Sequence, residues 1–181
     1  ALILDSGILI DEIRRSSEEF QNLLLDVIDK RRIIIPELKK VYKAKGIGFQ
    51  LIFTSNPEDL AQNELSDAFM RRVVRIKLDY PPPDKEIEII RLRLGTVSSL
   101  ISEDMMMKGI EAINVLRKSD LMYKPGIADS VRWMGISARI AMLRGHERVS
   151  EEDLLEGAKA TLLKRNDEEE AVIKIIKRFF G

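Results

Sequence analysis

The chain has 181 residues, 45% hydrophobic and 33% charged, which suits a globular protein of one generous domain or two small ones at roughly 100–200 residues each. Thirty Lys and Arg offset thirty Asp and Glu, so no global field points to nucleic acid or to an anionic surface. With no cysteine and a single histidine, His146, disulfides, thiolate metal sites and histidine-based metal centres or triads are excluded; no apolar run nears the roughly 18 residues of a membrane span, and the reading is a cytoplasmic protein without a membrane partner.

In chain order, the first apolar run, Ile8-Leu9-Ile10, ends in Asp11-Glu12. Buried parallel strands read as continuous Ile, Leu and Val, and ligands bind at their carboxyl ends. There an Asp can support Mg²⁺ and a following Glu can orient or deprotonate a water. The same five residues equally suit a strand running into the acidic first turn of a helix, and alone they leave both readings open. A strand pattern this near Ala1 reads as a chain entered in mid-fold. Ser16 and Ser17 predict a cap for a helix with Glu18 and Glu19 in its first turn and Phe20, Leu24, Val27 and Ile28 on its apolar face, closed by Arg31-Arg32. Ile33-Ile34-Ile35-Pro36 and the segment around Val41-Tyr42 predict an exposed hairpin. The run from Phe49 to Thr54 predicts a second buried strand, ending in Ser55-Asn56-Pro57. A short helix around Leu65 to Met70, the pair Arg71-Arg72 and a third strand from Val73 to Leu78 follow.

Asp79-Tyr80-Pro81-Pro82-Pro83 can continue neither sheet nor helix interior, so it divides the chain into an α/β domain, 1–80, and an all-α domain, 81–181. In the second, Asp84 opens a helix to Leu94, and Ser102-Glu103-Asp104 opens one with Met106, Ile110 and Ile113 on one face. Pro125 begins a third, which Gly145 stops after Arg144. Ser150 to Asp153 reads as a capping box ahead of Leu154, Leu155, Ala158 and Leu162, and Asp167 to Glu170 leads a last helix ending in Lys177 and Arg178. Trp133 and Met105-Met106-Met107 read as core or subunit-contact surface, and His146 as an exposed turn residue.

Several phrases then stand in one order: Asp11-Glu12-Ile13-Arg14-Arg15, Gln21-Asn22-Leu23-Leu24-Leu25, Ile35-Pro36-Glu37-Leu38, Asn56-Pro57, the spacing Leu65, Ala68, Arg72, and Arg144-Gly145 with Val149, Glu152, Asp153 and Leu154. Each is weak by itself, but in this order they resemble the second part of an AAA+ ATPase module, most closely its MoxR-like branch. The resemblance covers nearly the whole chain. It implies an α/β fold: a parallel sheet of the P-loop NTPase type, incomplete here, followed by a small all-α lid bundle. It also implies roles, with ATP and Mg²⁺ as ligands. Asp11 corresponds to the Walker B carboxylate that supports Mg²⁺, Glu12 to the residue that activates water, and Asn56 to sensor 1. Arg72, with Arg71 as the alternative, corresponds to the arginine finger that reaches a neighbour's nucleotide, so an oligomeric ring, a hexamer by family habit, is expected. The resemblance also implies chaperone-like remodelling or maturation of a partner protein, and association with a von Willebrand factor A domain protein.

Two positions depart from the pattern. Many relatives carry Asn where Arg14 stands, so that part of the site is expected to be arranged differently. The usual sensor 2 arginine falls at Ala128, and Arg132 lies one helical turn further along the same face, able to substitute or to be an ordinary surface arginine. No phosphate-cradling G-x-x-x-x-G-K-[ST] loop occurs, and Gly46-Ile47-Gly48 lacks both its spacing and its ending. The expectation is therefore a piece of a longer protein, inactive by itself, whose N-terminal half of the module is another segment or chain, or whose exposed apolar face is covered by self-association. A non-hydrolysing scaffold and a nucleic-acid-directed motor are the competing readings. The first has no need of Asp11, Glu12, Asn56 and Arg72 together; the second is disfavoured by balanced charge but supported by Lys39-Lys40 and Lys43 to Lys45 in the hairpin.

Overall fold

A computed structural model describes residue 4, residues 6–56 and residues 63–180. The chain forms two compact units, Ala1–Lys77 and Leu78–Gly181. The first is mixed α/β and the second helical.

The α/β unit contains β1 (Ile8–Ile10), α1 (Glu18–Lys30), β2 (Arg32–Ile35), β3 (Lys40–Lys43), β4 (Leu51–Phe53) and α2 (Asp67–Met70). Helix α1 starts where Ser17 accepts the Phe20 N–H at 3.3 Å, and it ends at Arg31, whose left-handed backbone (φ 50°) closes the last turn. Its buried face is Gln21, Leu24 and Val27. Phe20, expected inside, is exposed, because Gln21 turns inward instead and its amide donates to the Ser16 carbonyl. Strands β2 and β3 pair antiparallel, with Ile34 opposite Val41, and both side chains stand in solvent as the hairpin reading implied.

Strands β1 and β4 pair in parallel, Ile8 with Leu51, Leu9 with Ile52 and Ile10 with Phe53. Successive side chains leave opposite faces of a strand. Ile10 and Phe53 therefore pack on a small core of Ile13, Leu24 and Phe69, where Phe53 and Phe69 meet edge to face at 5.2 Å. Leu9 and Ile52, on the other face, are 62% and 55% exposed. The expectation of strands buried on both faces is thus half right, since only one face is covered. The third strand is a further correction. Residues 73–78 form no ladder among the described residues. Val73 touches the small core, while Val74, Ile76 and Leu78 alternate out into solvent. The β-branched alternation is present, but a strand exists only through hydrogen bonds to a neighbour.

The helical unit contains α3 (Pro83–Leu94), α4 (Glu103–Lys118), α5 (Ile127–Leu143), α6 (Glu151–Leu162) and α7 (Glu169–Phe180). Pro83 occupies the first helical turn of α3, where its missing N–H costs nothing. Ser102 caps α4 by accepting the Met105 N–H. Helix α5 begins two residues later than the position of Pro125 suggested: Gly126 is the cap, its N–H donating to Asp129 at 2.9 Å, and the Pro125 carbonyl accepts instead from Arg117 Nε. The box expected at Ser150 is formed, with Ser150 and Asp153 bonding each other's backbone N–H at 3.2 and 3.0 Å.

Helical periodicity concentrates Ile90, Met106, Ile110, Ile113, Leu116, Trp133, Met134, Leu154 and Ile176 into one buried core. Trp133 lies at its centre, donating to the Leu154 carbonyl at 2.7 Å with the Phe180 ring edge-on at 5.8 Å. Helices α5 and α6 approach closely at Gly157, where a Cβ would lie 2.1 Å from Ser137 Oγ. A buried ion pair joins three helices: Arg117 Nη1 and Nη2 each reach Glu86 at 2.8 Å, Ser130 donates to the same carboxylate, and the Tyr80 ring stacks on the guanidinium at 3.9 Å. His146 is exposed, as expected, yet it has a partner. Its Nδ1 lies 2.8 Å from the fully buried Asp153, which Arg144 also reaches at 3.0 Å. This small cluster ties the turn after α5 to the start of α6.

Candidate functional site

The carboxyl ends of the parallel pair bring the proposed chemistry together. Asp11 and Glu12 follow β1, and Thr54 and Asn56 follow β4. Parallel pairing in register is what makes these two exits neighbours, 43 residues apart in the chain. Thr54 links them. Its hydroxyl donates to Asp11 Oδ1 and accepts the Glu12 N–H at 2.9 Å, while its carbonyl accepts the Ile13 N–H at 3.0 Å and its N–H donates to the Ile10 carbonyl at 3.1 Å. The backbone of Glu12 is left-handed, φ 52° and ψ 50°, a conformation rare for a side chain without a local reason. The Thr54 bonds on either side hold it there. A short 3₁₀ turn over Ile13–Arg15 follows, and the Arg15 guanidinium lies 2.9 Å from the Glu12 carboxylate.

Arg14, the departure from the family pattern, has a structural task. Its Nε donates to the Asn63 carbonyl at 2.9 Å and its Nη1 to the Asn56 carbonyl at 3.1 Å, and Asn63 bonds back to the Arg14 and Ser16 carbonyls. The side chain thus fastens the segments at Asn56 and Asn63 to the end of β1. Pro57, the second half of the Asn-Pro motif, lies outside the described residues.

The arginine pair stands at the end of α2, in the same unit. Arg72 Nε lies 2.8 Å from both oxygens of Asp29 on α1, and its Nη1 donates to the Ala68 carbonyl at 2.7 Å. The Asp29 hydrogen bond and charge hold the Arg72 pKa above its ordinary value. Arg71 is exposed, and its guanidinium makes no hydrogen bond or ion pair among the described residues. Arg132 is an exposed residue of α5 in the helical unit, one turn beyond the equally exposed Ala128.

Asp11 is an exposed carboxylate at a strand end, and among the described residues no three metal-binding side chains gather. One carboxylate fits Mg²⁺, which keeps most of its waters and takes the rest of its ligands from phosphate. It does not fit a metal that needs an all-protein cage.

Sequence reasoning missed Thr54, Arg15 and Asn63. Thr54 had a signal, since it is the last residue of the apolar run at a ligand-binding strand end. Asn63 had none, because its role rests on a tertiary contact to a chain segment 49 residues away.

Residues 6–73 match the AAA domain of the dynein-related subfamily. Over 142 residues, 76% of the chain, the sequence is 30% identical to the gas vesicle ATPase GvpN of Ancylobacter aquaticus, and it covers 37% of that protein. The fold is similar to the Thermotoga maritima RuvB Holliday junction branch migration motor, with TM-score 0.57 and 16% identity over 90% of this chain and 46% of that one. A point variant of that RuvB gives TM-score 0.59 at 18% identity, with the same shares of the two chains covered. The chain spans 37% of the length of the gas vesicle ATPase and 46% of that of the two RuvB chains. Among the described residues, no helix is long and apolar enough to cross a membrane. With its motifs in family order and its parallel strands joined at Thr54, this chain is similar to the AAA domains over residues 6–73 and to a gas vesicle ATPase over three quarters of its length.

Proposed function

We propose that the protein to which this chain belongs hydrolyses ATP at a site built partly from the ends of β1 and β4, within an oligomeric ring, and couples turnover to remodelling of a partner protein in the cytoplasm. The observation that carries the reading is the Thr54 junction, which fixes Asp11 and Glu12 side by side at the carboxyl end of a parallel pair. A scaffold that no longer hydrolysed ATP would have no use for a left-handed Glu12 held from both sides. The gas vesicle ATPase relative supports an ATP substrate. By family resemblance the ring is a hexamer and a von Willebrand factor A domain protein is the partner class. The N-terminal half of the module would supply the phosphate-cradling loop.

Phosphoryl transfer asks the protein for positioning and charge neutralisation more than for covalent chemistry. Asp11 would hold Mg²⁺, whose charge offsets that of the phosphates. Glu12 accepts the proton of the water that attacks the γ-phosphorus as the bond to the ADP oxygen breaks. Thr54 keeps the Asp11 carboxylate and the Glu12 backbone in place, and Arg14 steadies the Asn56 segment, whose amide suits the γ-phosphate or the attacking water. An arginine of the Arg71-Arg72 pair, from the neighbouring subunit, meets the charge that develops. Arg132, on the lid, is the candidate for sensor 2.

Glu12→Gln in the intact protein tests the assignment. Nucleotide affinity should be retained, while turnover should fall by about 100-fold or more, the scale of a lost general base. Full turnover in that variant would remove Glu12 from the mechanism. The exposed hairpin residues Lys39, Lys40, Lys43 and Lys45 favour a second reading, a nucleic-acid-directed motor. Its signature would be DNA affinity that falls steeply between low and moderate salt.

A further inference from the structure

We infer that Arg14 is a positioning residue that locks the Asn56 segment and the Glu12 turn into one frame. The amide offered to the γ-phosphate and the carboxylate offered to water are then fixed relative to each other before nucleotide binds. The inference rests on the ATPase reading above and deepens it. It concerns the place where the motif departs from its usual pattern.

The strands β1 and β4 end at Ile10 and Phe53, but the bonding between the two segments goes on. The Thr54 N–H donates to the Ile10 carbonyl at 3.1 Å, and the Ile13 N–H reaches back to the Thr54 carbonyl at 3.0 Å. Arg14 carries the series on to Asn56, whose carbonyl accepts its Nη1 at 3.1 Å. A side chain does there what backbone does within the ladder. Arg14 is itself held at its other end. Its Nε donates to the Asn63 carbonyl at 2.9 Å, and Asn63 returns its N–H to the Arg14 carbonyl at 3.0 Å and its amide to the Ser16 carbonyl at 3.2 Å. Main chain and guanidinium are both tied, so the group that grips Asn56 has little freedom of its own. The same 3₁₀ turn, Ile13–Arg15, also faces Glu12. Arg15 Nε lies 2.9 Å from the Glu12 carboxylate, and the Arg15 N–H donates to the Glu12 carbonyl at 2.8 Å. One short turn therefore holds the Glu12 carboxylate through Arg15 and the Asn56 backbone through Arg14. A guanidinium suits the second task because its donors lie in a rigid plane and can serve two carbonyls at once, whereas a lysine ammonium is one point charge on a flexible stem. Misplacing a catalytic group by about 1 Å costs on the order of 100-fold, which gives the lock its value. Both Arg14 bonds end on main-chain carbonyls, so it acts through Asn56 and not on the phosphate.

The test uses the intact protein and reads MgATP turnover, nucleotide affinity and melting temperature. N56A should lower kcat on the order of 100-fold, the scale of a lost hydrogen-bond donor to the reacting group. R14A should lower kcat on the order of 10- to 100-fold, with nucleotide affinity at its wild-type value. The decisive variant combines the two. R14A with N56A should be no slower than N56A alone, because a residue that acts through Asn56 then has nothing left to position, while Thr54 and Arg15 still hold Glu12. R14K, able to serve one carbonyl at a time, should fall between R14A and the wild type. Wild-type kcat in R14A overturns the inference. So does a combined variant slower than N56A by the whole R14A factor, because independent effects multiply and Arg14 would then act on its own. Should the melting temperature show that R14A does not fold, R14K with and without N56A completes the same comparison, with the same two outcomes. Failure of the underlying reading looks different, since wild-type protein would then hydrolyse no ATP or N56A would leave turnover intact.

Discussion

The two halves of this chain treat their apolar residues in opposite ways. The helical unit buries its own: Ile90, Ile110, Ile113, Trp133, Met134 and Leu154 are all sealed from solvent. In the α/β unit three residues, Ile13, Leu24 and Phe69, form the buried core, while Leu9, Ile52, Val74 and Ile76 face water. The contrast follows from geometry. Helices pack their stripes on each other within one contiguous segment, whereas a sheet needs a cover on each face and a neighbour for each edge. The helical unit is therefore expected to carry the chain's stability, and the α/β unit its unfinished surfaces and its chemistry.

Trp133→Ala offers the largest test of that division. Truncating a buried tryptophan costs about 3–5 kcal/mol, enough to unfold a unit that depends on one core. Denaturant titration followed by helix content should show the helical transition move to much lower denaturant. A shift below about 1 kcal/mol would mean that Trp133 is not the centre of that core. Acid gives a smaller effect. Burial raises the Asp153 pKa, but hydrogen bonds from Ser150 and His146 outweigh it and hold the carboxyl near 2, below its ordinary 3.8. A depressed carboxylate contributes stability that is complete above its unfolded value and is lost as pH falls through the folded one. The helical unit should therefore weaken between about pH 4 and pH 2, and Asp153→Asn should flatten that part of the profile. An unchanged slope in the variant would assign the acid loss elsewhere. The smallest effect is expected on the open sheet face: Leu9→Ser should shift the stability of this chain by within about 0.5 kcal/mol. A cost of about 2 kcal/mol would show that the face is covered in solution.

The helical unit was the more legible half. Ser102, Ser150 and Asp84 announced their helices because the signals of a helix start are local, and the 3.6-residue period of Met106, Ile110 and Ile113 needs nothing outside its own segment. Residues 73–78 misled because their alternation fits a strand while the ladder that makes one depends on a neighbour. In the site, the position of Asp11, Glu12 and Asn56 followed from strand ends and motif order. What stayed hidden were the contacts between distant segments: Thr54 joining Asp11 to Glu12, Arg14 holding Asn56, Asp29 engaging Arg72, and His146 meeting Asp153. Each depends on packing that brings two parts of the chain together, and no spacing rule within one segment reports it.

In the proposed function the α/β unit is one side of an ATP site completed by a neighbour. The most direct measurement is the ATP turnover of the intact protein per subunit across a wide range of protein concentration, with mass measured at each point. A site shared between subunits requires turnover per subunit to rise with concentration and level off as the oligomer forms. Constant turnover per subunit from a protein that stays monomeric throughout would contradict it.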